Sequence, residues 1–358
     1  MPALDVAVMN IFQLSQRDDA RTPSGLFGWL DRWLARWLHH PEDAFVVRHI
    51  GLLMATCALG AYANFHFSWT LAAIFWIGLV ANGEAAGRFL HMTCHRRVFR
   101  RKVDWLNTVP TWLASSFFGE PPFLFGTEHV ANHHFNDNGP GDIGCTLGYQ
   151  RDSWRDALRY LWHYFCGRSG VFGLVGRMRS EPYRRWRVRF VLGQVLFWSL
   201  VAMRLWQAWL PTLVLLLAPY FFAQSIDRIN NFTEHAFIDP ARPHDPLGNS
   251  FTIIDSPYNT GVGFNEGYHA THHLTPGIPN HLWPQYFRDR IAEYSEKDHL
   301  VFRGLDTNRI FEMLMRHDYD RLARHYVAWP DRPRTHDQIV TMLRERVARH
   351  PVSSRKDV

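Results

Sequence analysis

Three clusters of histidine hold the residues best suited to chemistry in this chain. His91-Met-Thr-Cys-His95 is a pair at i and i+4. His129-Val-Ala-Asn-His133-His134 adds a doublet to such a pair, and His269-Ala-Thr-His272-His273 places rings at i, i+3 and i+4. On a helix these offsets fall on one face, so each cluster can aim its imidazoles at one point. His235 extends the set, because Asp227, Asn231 and His235 are spaced by four and share a helix face. Imidazole suits iron, copper, nickel and zinc. Eight or nine nitrogen ligands exceed what one metal takes, about four to six, so two metals sharing them is the natural count. The carboxylates Glu84, Asp142, Asp227 and Glu266 can then hold outward ring N–H groups and fix the tautomers.

A single HxxxH pair arises by chance in a chain with 21 histidines. Two separate His-His doublets, each preceded by a histidine three or four residues back, do not. His39, His40, His66, His163, His244, His299, His317, His325, His336 and His350 read as surface residues, while His281 adjoins the third box and stays open. No HExxH motif of a zinc protease occurs. Glu266-Gly-Tyr-His269 and Glu296-Lys-Asp-His299 have the ExxH spacing of soluble di-iron bundles. The first lies inside a histidine box, and the second sits in a charged stretch that reads as solvated surface.

The elements that must position these boxes are membrane helices. Hydrophobic residues make up 47% of the 358, with 15 Trp, 26 Phe and 12 Tyr, as in a protein with interfacial aromatic belts. Apolar runs at about 44–64, 69–90, 188–204 and 208–226 each approach the length of roughly 20 residues that a span requires. Arg204, Gln207 and Pro211 punctuate the last pair. The stretch 105–125 is apolar but broken by Pro110, Gly119, Pro121 and Pro122, which reads as re-entrant or interfacial. The loop after the first span lacks Arg and Lys, whereas Arg96, Arg97, Arg100, Arg101 and Lys102 follow the second. That asymmetry places both chain ends and every histidine box on the cytoplasmic side.

Leu26, Leu30, Trp33, Leu34 and Trp37 recur at helical spacing and predict an interfacial helix; an ordinary surface helix would share the pattern. Met1 to Asp19 lacks a signal-peptide pattern. The net charge of +6 is carried almost wholly by arginines that flank apolar runs, which speaks against a nucleic-acid partner. Four scattered cysteines suggest neither a disulfide framework nor a zinc ribbon, and Cys94 reads as a small filler. The expected architecture is an all-α membrane protein: an N-terminal cytoplasmic or interfacial part (1–43), a membrane and metal-binding domain (44–285), and a C-terminal helical part of the same cytoplasmic cap (286–358).

Four spans with HxxxH, HxxxHH and HxxHH boxes resemble the membrane fatty acid desaturase superfamily over about 44–285. Asn265-Glu266-Gly267-Tyr268-His269-Ala270-Thr271-His272-His273 is similar to that family's Gly-Glu-x-x-His-x-x-His-His, and Asn231 with His235 resembles an extra Asn-x-x-x-His pair. The resemblance implies that His91, His95, His129, His133, His134, His235, His269, His272 and His273 bind two irons, with Asn231 reaching them through water. It also implies O2 as co-substrate and electrons from a partner. The first box, HxxxH where acyl-CoA desaturases have HxxxxH, counts against a CoA ester. No His-Pro-Gly-Gly signature of a fused cytochrome b5 occurs, so the electrons come from a separate donor such as ferredoxin with its reductase.

An unactivated methylene C–H bond yields to no side-chain acid, base or nucleophile at neutral pH, so a metal-based oxidant must carry the chemistry. The spans should frame a narrow apolar tunnel, with Arg88, Arg96 and Arg97 as candidates to hold a carboxylate or acyl head group. The products to expect are an in-chain alkene by desaturation or, as in a bacterial 1-alkene-forming branch, a terminal alkene by oxidative decarboxylation of a free fatty acid. Hydroxylation of a fatty acid or alkane is a third outcome. A non-enzymatic metal transporter is the contrasting class, but transporters place ligands within the spans near the midplane. A bacterial inner membrane is the expected location.

Overall fold

The computed structural model describes residues 11–19, 27–113, 115–167, 173–177 and 184–351. Leu26, expected in the interfacial helix, and the extreme ends of the chain lie outside the described residues. The chain divides into two compact units. One comprises residues 1–20, 133–171 and 228–358, and the other 21–132 and 172–227.

The second of these units holds the membrane helices. Four helices are long and apolar enough to cross a bilayer: Pro41–Phe65, Trp69–His95, Arg184–Gln207 and Trp209–Glu234. The fourth ends in the other unit. Side chains such as Leu52, Ile77, Val80 and Val195 are exposed on them, an apolar surface that lipid would cover. The first two form a hairpin across His66–Ser68, where the Ser68 hydroxyl accepts from Leu71 N–H and caps the second helix. Arg204, which interrupts the third apolar run, ties helix ends together. Its guanidinium donates to Asn64 Oδ1 at 2.6 Å, Asn64 O at 2.7 Å and Gln207 Oε1 at 2.6 Å, and lies 4.1 Å from the Phe65 ring centroid.

Every helix outruns its apolar stretch at one end or both, the last by eight residues past 226, to Glu234. Hydropathy marks the lipid-facing part, whereas the backbone ladder continues into polar sequence. The second helix thereby carries His91 and His95 on its final turns, and the fourth carries Asn231 to the threshold of His235. Residues 227–234 continue the fourth helix beyond its apolar run. The stretch 101–128 is broken, as its prolines require, into short helices Arg101–Asn107, Val109–Leu113, Ser115–Phe118 and Leu124–Glu128.

Helix Gly28–Ala35 and its flanks expose Phe27, Trp29, Trp33 and Trp37, in keeping with an interfacial face.

The first unit packs around two apolar clusters. One gathers Phe232, Phe237, Phe251, Phe302, Leu322 and Leu343; the other gathers Leu14, Ile254, Tyr268, Trp283, Tyr294 and Trp329. Between them runs a feature absent from the all-α expectation. Strands β1 (Phe251–Ile254) and β2 (Leu300–Arg303) pair in parallel, with Phe251 opposite Leu300. All four residues of β1 are buried, so no alternation marks it.

Candidate metal centre

Each unit gathers its own histidines. In the membrane-helix unit His91, His95 and His129 each place a ring nitrogen within 4.8 Å of the others. His91 Nε2 lies 2.9 Å from His129 Nε2. His129 opens a turn of π-helix, His129–His133, a wider turn than an α-helix makes. Such turns recur at functional sites.

In the other unit His133, His235, His269 and His273 form a four-ring cluster, again with ring nitrogens within 4.8 Å of one another. His134 Nε2 and His272 Nε2 meet at 2.8 Å in the same unit. The cluster is held from behind. His133 Nδ1 donates to Asp142 Oδ2 at 2.7 Å and His235 Nδ1 to the Asn249 carbonyl at 2.9 Å, while Asp137 Oδ1 faces His273 Nδ1 as an ion-pair partner at 2.9 Å. Glu234 Oε2 faces His269 Nδ1 at 3.6 Å.

Those acceptors decide the tautomers. A neutral imidazole that donates from Nδ1 keeps a lone pair on Nε2. The Nε2 atoms then converge: His235 to His269 at 3.2 Å, His269 to His273 at 3.0 Å, His133 to His273 at 3.3 Å. Lone pairs facing one another at hydrogen-bond distance repel when no proton lies between them, and a shared cation turns that repulsion into ligation. Burial, with His133 and His273 nearby, pushes His235 down to about 3, and burial also lowers His273. Burial would raise Asp142, but His133 and the hydrogen bonds from His133 and Gly144 outweigh it and hold the carboxyl at about 2. Burial would raise Asp137 too, but His273, His235 and His133 together outweigh it and leave the carboxyl lowered. At neutral pH His235 and His273 therefore offer neutral nitrogens, and together with His133 and His269 they make a donor set that fits a transition metal.

The fatty acid desaturase family model matches residues 67–305. The chain belongs to the fatty acid desaturase family. No curated protein and no solved structure matches it. Membership implies an oxidoreductase of fatty acyl chains, and the match covers all three boxes and His235.

Around the clusters this desaturase-family chain uses its polar residues in several ways. Asp142 also accepts from Asn138 N–H at 3.1 Å and Gly144 N–H at 2.7 Å, so it orders the loop after the second box. Asn231 Nδ2 donates to the Gly144 carbonyl at 2.8 Å and the Tyr160 hydroxyl at 2.7 Å, bracing the same loop. Glu266 accepts from Asn280 Nδ2 at 3.1 Å and ties the third box to the turn that carries His281. Glu84 pairs with Arg88 at 2.6 Å one turn along the second span, the helix that also carries His91 and His95. Asp227 itself lies on the fourth span, two turns before His235. Arg96 is gripped by both oxygens of Asp43 at 2.7 Å, and Arg97 by Asp104 at 2.6 Å.

Sequence reasoning missed three anchors. Asp137 follows His133 by four residues and Glu234 adjoins His235, so both carried a spacing signal; the Asn249 carbonyl, a backbone group, carried none. It also misplaced His299. That residue is fully buried, with Nε2 at 2.9 Å from Thr252 Oγ1 and Nδ1 at 2.9 Å from the Leu247 carbonyl. It precedes β2, whose apolar residues carry it inside, and burial lowers its pKa to about 4.

Proposed function

We propose that the chain is an O2-dependent, membrane-bound non-haem di-iron oxidoreductase that takes hydrogen from a fatty acid or fatty acyl chain and leaves an alkene. The observation that carries the reading is the four-imidazole cluster, in which three Nδ1 atoms face an acceptor within 2.9 Å and the Nε2 lone pairs converge. His133, His235, His269 and His273 are the ligands proposed for one iron. His91, His95, His129, His134 and His272 complete the nine that the boxes supply for two. Iron bound there supplies the O2-derived oxidising power that an unactivated methylene requires.

The protein's part is orientation and proton control. Asp142, Asp137 and the Asn249 carbonyl keep the ring protons on Nδ1, so each Nε2 stays a donor at neutral pH. Electrons come from a separate donor such as ferredoxin and its reductase. We propose a bacterial inner membrane as the location, and on the arginine asymmetry of the loops we propose that both termini face the cytoplasm.

The test is product analysis. Purified protein is given iron, a ferredoxin system, O2 and dodecanoic acid, and headspace and extract are analysed. An alkene one carbon shorter identifies decarboxylation, and an unsaturated acid of equal length identifies desaturation. A hydroxy acid as sole product, or no O2 uptake, contradicts alkene formation.

A further inference from the structure

A cavity of about 380 Å³ opens in the membrane-helix unit beside the first histidine box. Leu90, Thr93 and Cys94 line it from the second span, interleaved with His91 and His95. Phe125 lines it from the short helix that leads into His129. The Phe125 ring stacks on His129 with centroids 5.2 Å apart and planes 14° apart, and its centroid is 6.1 Å from that of His91. Phe125 therefore touches the cavity on one side and box histidines on the other. Pro121, Phe123 and Trp186 add apolar wall, so the lining mixes aromatic and charged groups where a purely apolar tunnel was expected.

Four charged residues reach this cavity: Arg97, Asp104, Glu120 and Arg189. Arg97 and Asp104 neutralise each other at 2.6 Å, and Glu120 accepts from Gln224 Nε2. Arg189, on the first turns of the third span, lies 5.8 Å from the Phe123 ring centroid and has no carboxylate partner among the described residues. An arginine beside apolar walls, with its guanidinium uncommitted to an acid, suits a planar anion on an apolar tail, because guanidinium pairs bidentately with carboxylate.

We propose that this cavity seats the head of a free fatty acid, with Arg189 as the counter-ion of its carboxylate. The inference rests on the proposed function and narrows its substrate class to an uncoupled acid. It also sets where the chain is presented: a carboxylate held here leaves the first carbons, rather than the middle of the chain, beside Phe125 and the histidines behind it. Sequence reasoning favoured Arg88, Arg96 and Arg97 for this task. Each of those is engaged by a carboxylate, and among the described residues Arg189 is not.

The test is equilibrium binding of radiolabelled dodecanoate to the full chain in lipid nanodiscs, without reductant, so that no turnover occurs. Arg189→Gln should weaken binding by at least about tenfold, the effect of one charge-assisted pair, and Arg189→Lys, which keeps the charge but loses the bidentate fork, should weaken it less than Arg189→Gln does. Methyl dodecanoate should fail to displace the label. Unchanged binding by Arg189→Gln, or displacement by the ester as strong as by the acid, overturns the proposal. Dodecyl phosphate displacing the label more tightly than dodecanoate would also overturn it, by marking a phosphate site. Should Arg189→Gln not fold, competition on the parent protein decides alone. A protein that binds dodecanoate through Arg189 yet oxidises no acyl chain would refute the proposed function and leave this inference standing. Acyl oxidation with Arg189-independent binding would do the reverse.

Discussion

Asp142 spends both carboxylate oxygens on the second histidine box, one on His133 Nδ1 and Asn138 N–H and the other on Gly144 N–H. Replacing it with Asn keeps the shape but sets an amide N–H₂ against donors. Asp142→Asn should therefore lower iron affinity by about 10- to 100-fold with the fold retained, as loss of a partner behind a ligand does elsewhere. Iron retained after dialysis against a chelator measures this, and full retention would show that His133 needs no such support. The boxes themselves were legible because chemistry forces ligands of one type into helical spacing. The residues that orient them were legible only where a side chain lay four residues away or adjacent, as with Asp137 and Glu234. The Asn249 carbonyl could not be read, since any residue presents one. His299 shows the opposite error: a charged neighbourhood suggested solvent, while the strand that follows it is apolar and buried.

The loop entering the third box is pinned by the N-terminal segment. Asp18, almost fully buried, accepts from Asp255 N–H at 2.7 Å, Ser256 N–H at 3.1 Å, Asn259 Nδ2 at 3.2 Å and the Tyr268 hydroxyl at 2.9 Å. Burial raises its pKa to about 6, against hydrogen bonds that lower it. A carboxyl whose folded pKa exceeds its unfolded value contributes stability that is full below the unfolded pKa, near 4, and is lost as pH rises through the folded one. The loss amounts to about 3 kcal/mol for a shift of roughly two units. Asp18→Asn cannot titrate, so the melting temperature of the parent relative to this variant should fall between about pH 4 and pH 7. A difference independent of pH would contradict the assignment.

Close packing gives a second prediction for the elements. A Cβ on Gly193 in the third span would lie 1.9 Å from the Pro122 carbonyl oxygen, a backbone atom that cannot swing aside. Gly193→Ala should cost about 1–3 kcal/mol or more, read as a lowered melting temperature in detergent; no change would mean that this helix does not press on the Pro121-Pro122 turn. The spans were legible from hydropathy but not their ends, because the helical ladder outlives the apolar run. The β1–β2 ribbon was not legible: strands of four residues buried on both faces have no alternation to separate them from helix. The π-turn at His129–His133 likewise leaves no mark in residue types.

Across the whole molecule, four candidate spans are an even count, and the proposed orientation puts both chain ends on the cytoplasmic side. With the arginine-free loop His66–Ser68 outside, a fluorescent protein fused at the C-terminus should fold and fluoresce in the cytoplasm, and a phosphatase reporter inserted in that loop should be active outside. The reversed pattern would contradict the orientation. The class of chemistry was legible as a resemblance because nine histidines in fixed spacing are specific, and the family match supports it. The product was not, since it depends on which carbon the cavity presents, a matter of packing between segments far apart in sequence.

The account stands or falls on what the histidines hold. The most direct measurement is iron analysis with Mössbauer spectroscopy on the protein purified with its lipid, for the parent chain and for His235→Ala. The account predicts about two irons per chain in nitrogen-rich sites, the count that nine imidazole ligands serve, falling to about one when His235 is removed. Loosely held, exchangeable zinc with no O2 uptake on dodecanoate, or an iron count unchanged by His235→Ala, would contradict it.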